Sequence, residues 1–329
     1  MGADAEPSEL STRILQSLYV SHFSDGDGIL RINEWASAQG EEARSVWDAY
    51  KDLQGLGLSE PYALGSIQLT ADGALWVEAQ ALVETDLADH QRAVRTSMLN
   101  ALFTYCEEHG GCLGMQYLEL VRQAGITKAD YDRNSRLLAD AGLMECVALG
   151  MWAITPEGRS AVVDYRRRRD RLEELQRLST STKIPSQRRG HLLEDLLGAA
   201  IRDSGWEVQV RSRSQGQEHD VIANLGLDYY FISCKWVKRP VQAHEVELLE
   251  SRVRSRAGTR GGILASMSGF TTNCVDETRM KINSAMVLLF GPDDIECVIG
   301  GFSNFTDLLS AKLEEAMHHR KILVDGKAR

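Results

Sequence analysis

The sequence predicts a multidomain α+β protein: two tandem helical modules, each closed by a hairpin, then an α/β domain around a central mixed sheet. Three observations carry this. At 329 residues the chain is too long for one small core. In the first half the same order of helical periodicities runs twice. Each run ends in a strand that meets a helix cap, Leu69-Thr70-Ala71-Asp72-Gly73 and Ile154-Thr155-Pro156-Glu157-Gly158. Beyond Arg188, apolar strands alternate with amphipathic helices, the pattern of crossover connections in a mixed sheet.

In order, Leu10, Ile14, Leu15, Leu18 and Tyr19 share one face of a helix over 8–22. A turn at Ser24-Asp25-Gly26-Asp27-Gly28 follows, then a short helix over 33–38, a third over 41–56, and the closing strand from Ile67. The second run places helices over 96–109, 115–124 and 128–141, with its closing strand from Trp152. Three helices and a hairpin resemble a winged-helix module, here within expected domains 1–90 and 91–165. Such modules often insert the third helix into the major groove of DNA. In the first copy that helix carries Glu41, Glu42, Asp48 and Asp52 against Arg44 and Lys51, so phosphate repels it and a protein partner is expected. In the second copy DNA reading and protein contact stay open, and Arg133, Asn134 and Arg136 are the candidate DNA contacts.

Residues 166–187 form a basic helix extension and linker. Arg166 to Arg169 are either a solvated helix face or a track for phosphates, and the Ser/Thr/Pro stretch from Ser179 marks a boundary. The net charge of −10 is concentrated at the N-terminus: residues 1–95 hold 6 basic and 16 acidic side chains, whereas 166–189 hold 9 basic and 3 acidic. The acidity therefore does not exclude a nucleic-acid partner for the rest of the chain. The six cysteines, at 106, 112, 146, 234, 274 and 297, show no CxxC pair and read as thiols of a reducing compartment. The N-terminus lacks a basic region followed by an apolar stretch, and no apolar run reaches about 18 residues. A cytoplasmic protein with no membrane span is expected.

In the third domain, expected over 188–301, a helix over 190–204 leads to strands over 206–210, 219–223 and 229–234. A helix over 241–257, a strand over 262–265, a helix over 272–284 and a strand over 285–290 complete it, and a helix over 304–319 is appended within the tail 302–329. Asp220 opens one strand and Lys235, 15 positions on, closes the next. A carboxylate can hold a divalent metal, and an ammonium can offset charge at a phosphodiester.

Several features occur together: Gly190-His191-Leu192-Leu193-Glu194, Asp220, Ser233-Cys234-Lys235-Trp236, Lys238-Arg239-Pro240-Val241, and Gly261-Gly262-Ile263-Leu264 leading to Ser268-Gly269-Phe270-Thr271. In this order they resemble the restriction-endonuclease-like, PD-(D/E)xK fold, and within it the Mrr-like type IV group. The resemblance implies a Mg²⁺ (or Mn²⁺) dependent DNA endonuclease in restriction or anti-phage defence, working as a homodimer. It implies Asp220 as metal ligand, Lys235 as catalytic lysine, the Cys234 carbonyl on the metal, Glu194 as an auxiliary acid and Lys238 as a DNA contact.

Ser233 departs from the family pattern, which has an acid or Gln there. One reading moves the acid to the next helix, to Glu245 or Glu247, with Glu247 preferred. The other leaves a catalytically degenerate nuclease fold that acts as a DNA-binding or regulatory module. Arg252, Arg254 and Arg256 are either phosphate contacts or an exposed helix face.

Overall fold

The computed structural model describes residues 7–24, 26, 28–111, 114–181, 183–214, 217–255, 258–281, 286–319 and 322–323; the side chains of 212–219 are not described. Asp25, Asp27, Cys112 and Arg256 lie outside the described residues, as do parts of the helix and strand expected over 272–290. The chain forms two compact units, Met1–Asp164 and Tyr165–Arg329. No described helix is long and apolar enough to cross a membrane.

The first unit runs α1 (Glu9–Phe23), β1 (Ile29–Arg31), α2 (Ile32–Gln39), α3 (Ala43–Gly55), β2 (Ser59–Ala63), β3 (Ser66–Leu69) and α4 (Ala71–Ala79). It continues with α5 (Thr85–Glu108), β4 (Met115–Gln116), α6 (Tyr117–Ala124), α7 (Lys128–Asp140), β5 (Met144–Ala148), β6 (Met151–Ile154) and α8 (Pro156–Thr180). Each half closes with an antiparallel sheet, β1-β3-β2 and β4-β6-β5, around its own apolar cluster. The short first strand of each sheet was not expected from the pattern, because two or three residues are too few to show a period.

The duplication reaches atomic detail at the hairpin-to-helix junction. Thr70 Oγ1 donates to the Gly57 carbonyl at 2.7 Å and accepts from Gly73 N at 3.0 Å. Thr155 Oγ1 does the same with the Gly142 carbonyl and Gly158 N, at 2.7 and 3.0 Å. The glycine of each motif is required by space: a Cβ on Gly73 stands 2.0 Å from the Leu58 carbonyl oxygen, and one on Gly158 stands 2.0 Å from that of Leu143. Gly73→Ala and Gly158→Ala are expected to cost about 1–3 kcal/mol each through this overpacking, read as a lowered Tm. Gly55→Ala, whose added Cβ meets nothing within 4 Å, is the control and leaves Tm within a degree or two or raises it, since Ala is the better helix former.

The structure places two features of this unit that the sequence reading singled out. The boundary placed at 90/91 falls inside α5, where Ala88 and Gln91 are buried. The candidate reading helix of the second half, α7, is packed against the first half. Leu137 belongs to the first half's apolar cluster, and His22 Nε2 meets the Arg133 carbonyl at 2.8 Å. Asn134 is fully buried: its amide nitrogen donates to Gln91 and to the Asp130 carbonyl at 2.8 and 2.9 Å, and its oxygen accepts from Arg95. It cannot reach a base edge in this arrangement. Arg136 is held by Glu60 at 2.6 Å, Gln68 at 3.0 Å and Asp140 at 3.4 Å. A buried group joins the halves: Arg95 donates to both oxygens of Glu78 at 2.6 Å, and the Tyr19 hydroxyl donates to Glu78 at 2.6 Å.

The second unit takes the later part of α8, whose Leu175 and Leu178 enter its core, then α9 (Ser186–Asp203), β7 (Glu207–Ser214), β8 (Gln217–Leu225) and β9 (Asp228–Lys235). After these come α10 (Ala243–Arg254), β10 (Thr259–Ser266), α11 (Thr272–Lys281), β11 (Val287–Phe290), α12 (Pro292–Gly300) and α13 (Phe305–His319). The sheet order is β11-β10-β9-β8-β7, with β10 parallel to both neighbours and β7, β8 and β9 an antiparallel meander. Gly198 of α9 lies over Val208 and Val210, and Gly262 of β10 lies under Leu249 and Val253 of α10, so helices cover both faces.

The helix expected as an appendage is part of this core. Phe305, Leu308, Leu309 and Ala316 of α13 are buried in it. Lys312 is buried too, with Nζ 2.8 Å from Asp294 Oδ2 and 3.3 Å from the Leu289 carbonyl.

Candidate active site

The β8–β9 hairpin brings the first two groups together. Val221 pairs with Ile232 in antiparallel register, so one step further Asp220 stands across from Ser233, with side chains on the same face. Ser233 Oγ donates to Asp220 Oδ2 at 3.0 Å, and the Cys234 backbone N–H donates to the same oxygen at 2.8 Å. Ser233 is therefore the buried group that orients Asp220.

Lys235 ends β9 two residues beyond Ser233, on the same face. Its Nζ lies 2.8 Å from Glu245 Oε2, with both side chains about a quarter exposed (27% and 24%). Glu247 points elsewhere: it is exposed and pairs with Lys281 of α11 at 3.0 Å. Of the two expected candidates, Glu245 is the one beside Lys235, and Glu247, the preferred one, lies against α11. Residues two apart on a helix lie some 200° apart around its axis, so only one of them can face the strand end.

Glu194 comes from α9, on the other side of the sheet. Burial raises its carboxyl above the usual range and the nearby Asp220 charge adds to this, while the His191 hydrogen bond at 3.3 Å and the Arg211 charge oppose it. The Cys234 thiol is pushed well up by its burial and by the charges of Asp220 and Glu194, so it stays a neutral thiol. In the same domain, burial first and the Glu245 charge second push Cys274 up to about 11, which makes it inert as a nucleophile. Lys238 is exposed just beyond Lys235. Trp236 is buried as a packing residue, with the Arg189 guanidinium 5.8 Å from its ring centroid.

Two groups were missed in the sequence. Arg211 of β7 lies 3.6 Å from Glu194 and 2.7 Å from Asp195, and donates to the His191 carbonyl at 3.2 Å. Its φ of +51° is left-handed, which is uncommon for a residue with a side chain. Nothing in the local sequence marks that conformation. Arg189 is the other, and its position in the first turn of α9 carries no signal, because a basic residue there is ordinarily solvated.

All the acids here offer oxygen donors, which suits a hard divalent cation that keeps several waters and needs only one or two carboxylates. Among the described residues no three His, Cys, Asp or Glu gather closely enough to form a metal cage. The donor set fits such an ion in kind, as an open site.

Residues 186–293 match a family model described as restriction endonuclease, the Mrr catalytic type, over roughly a third of the chain. No curated protein and no solved structure matches the chain. The match begins at the first residue of α9 and ends at the start of α12, so it takes in the whole five-stranded sheet, Glu194, Asp220, Lys235 and Glu245. Residues 186–293 therefore carry a restriction-endonuclease-like nuclease fold of the PD-(D/E)xK kind.

Proposed function

We propose that the chain is a metal-dependent DNA endonuclease of the Mrr-like restriction type. The observation that carries this reading is the strand end where a hydrogen-bonded carboxylate, Asp220, and an ion-paired lysine, Lys235, stand two residues apart in register. Asp220, Glu245 and the Cys234 carbonyl are the groups to hold Mg²⁺ or Mn²⁺. When bound, such an ion makes water more acidic and offsets charge on the phosphate. The protein's own part is positional. Ser233 and the Cys234 N–H fix the Asp220 carboxylate, Glu245 fixes the Lys235 ammonium at the phosphate, and Lys238 meets the backbone of the strand. The first unit reads as two winged-helix modules for protein contact and targeting. Cutting both strands requires two such sites, so the working form is a homodimer in restriction or defence. Plasmid cleavage by the full chain, tried with Mg²⁺ and Mn²⁺ on modified and unmodified DNA, tests the reading. Nicking or linearisation by wild type but not by Lys235→Ala supports it, and an inert wild type across all these conditions overturns it.

One observation favours a second reading, a degenerate nuclease fold that binds DNA without cutting. The charges at the site are matched internally, with Asp220 Oδ2 taking two donors and Lys235 neutralised by Glu245. Ser233→Glu separates the two. If Glu245 already supplies the second acid, a carboxylate at 233 stands against Asp220, removes its hydrogen bond and gives no gain in Mn²⁺ affinity by calorimetry. A rise in affinity of tenfold or more identifies a site that had lost its acid.

A further inference from the structure

A cavity of about 190 Å³ lies in the second unit between α8, α9 and α12, at the C-terminal end of α9 and beyond mid-helix Glu194. Arg168 and Arg171 of α8 line it, with Asp203 and Ser204 at the end of α9, and Ser303 and Asn304 before α13. Arg171 is nine-tenths buried, its side chain only 9% exposed. Its Nη2 donates to Asp203 at 2.7 Å, but its Nε and Nη1 are screened from solvent and have no hydrogen-bond partner among the described residues. A buried guanidinium with two unmet donors is costly, and the acceptors it lacks have to come from whatever fills the adjoining space.

Charge points the same way. Asp203 also faces Arg167 at 3.6 Å, so its carboxylate is shared between Arg167 and Arg171, while Arg168 also lines the cavity. Asn304 lines the cavity and caps α13, accepting from the Thr306 N–H at 2.8 Å, which brings the positive end of that helix's dipole to it. The ends of α9 and α12 oppose an anion, but Arg168 lies across the α12 end. Its Cδ is 2.5 Å and its Nε 2.8 Å from where a Cβ on Gly301 would sit, so only glycine leaves the guanidinium this seat. The volume equals roughly six waters at about 30 Å³ each. That admits a phosphate or pyrophosphate group.

We propose that this cavity binds a small phosphate-type anion through Arg168 and Arg171, bracing the basic part of α8 on α9 and α12. The site is separate from Asp220, and its test reads binding rather than cleavage, so it stands or falls apart from the nuclease reading.

The test is calorimetry and thermal denaturation of the full chain with inorganic phosphate and with pyrophosphate, at ionic strength held constant with chloride. Expected are saturable binding and a raised Tm, unchanged in Asp220→Asn and weakened at least tenfold in Arg168→Gln, whose exposed side chain is not needed for folding. Oligonucleotides with and without a 5′-phosphate form the second arm. Saturable binding of the phosphorylated strand alone, lost in Arg168→Gln, assigns the same recognition to a strand end rather than a free anion. No binding beyond the chloride control in either arm, or equal binding by Arg168→Gln and Arg171→Met, overturns the proposal and leaves a cavity that holds water only.

Discussion

Asp220→Asn is expected to cut plasmid DNA at least about 10²-fold more slowly than wild type, the scale of losing one electrostatic group that acts on the developing charge, with little change in Tm. The substitution keeps the volume and an oxygen acceptor for the Ser233 hydroxyl and the Cys234 N–H. Only the charge is removed. A second readout does not depend on turnover. Burial and then the Asp220 charge raise the Glu194 carboxyl, with His191 and Arg211 opposing. Removing the Asp220 charge must therefore let the Glu194 carboxyl ionise at lower pH, observable by NMR titration of the labelled side chain. A cleavage rate within a few-fold of wild type, or a Glu194 titration that stays in place or moves up, would show that the two acids do not share the site.

Asp294→Ala is expected to destabilise the second unit by about 3–5 kcal/mol, because it removes the carboxylate that pairs with the buried Lys312 ammonium. Both side chains are nearly inaccessible, at 2% and 3% exposed, and Asp294 Oδ2 also accepts from the Gly291 N–H at 2.8 Å at the start of α12. The loss corresponds to a fall in Tm on the order of 10 °C. Replacing both partners by apolar residues, Asp294→Leu with Lys312→Met, is expected to cost clearly less than Asp294→Ala alone. The desolvation of the lysine disappears with its charge, although the cap on Gly291 is still lost. Urea titrations of the three proteins settle this, and a double variant as unstable as the single one would mean that the cap rather than the ion pair carries the effect.

Much of this architecture is legible without coordinates because it rests on local periodicity. The alternation of strands and helices from Ser186 onward reflects which residues face a core, and the match to a restriction endonuclease family covers that same stretch. The duplicated Thr-x-x-Gly junctions are visible as a repeat for a similar reason: each is a contact between residues close in sequence. Long-range packing is not legible in this way. The second half's third helix looks like a reading helix by composition, yet Asn134 is spent on Gln91 and Arg95, and Leu137 on the first half's core. The helix over 304–319 is expected as an appendage, and only the fold supplies Asp294 as the partner of its buried Lys312.

At the site, it is legible from strand spacing, which is local and regular, that Asp220 and Lys235 lie on neighbouring strands; the structure extends the first strand on both sides of Asp220, to Gln217–Leu225. The sequence also narrowed the replacement acid to one of two glutamates on one helix. Which of the two stands beside Lys235 is a matter of tertiary packing, since the direction of a helix face toward that lysine depends on how α10 lies on β9 and β10, which no local pattern encodes. Tertiary structure alone also turned Ser233 from a missing ligand into the donor that holds Asp220, because that bond joins two strands whose register is set by packing on both faces of the sheet.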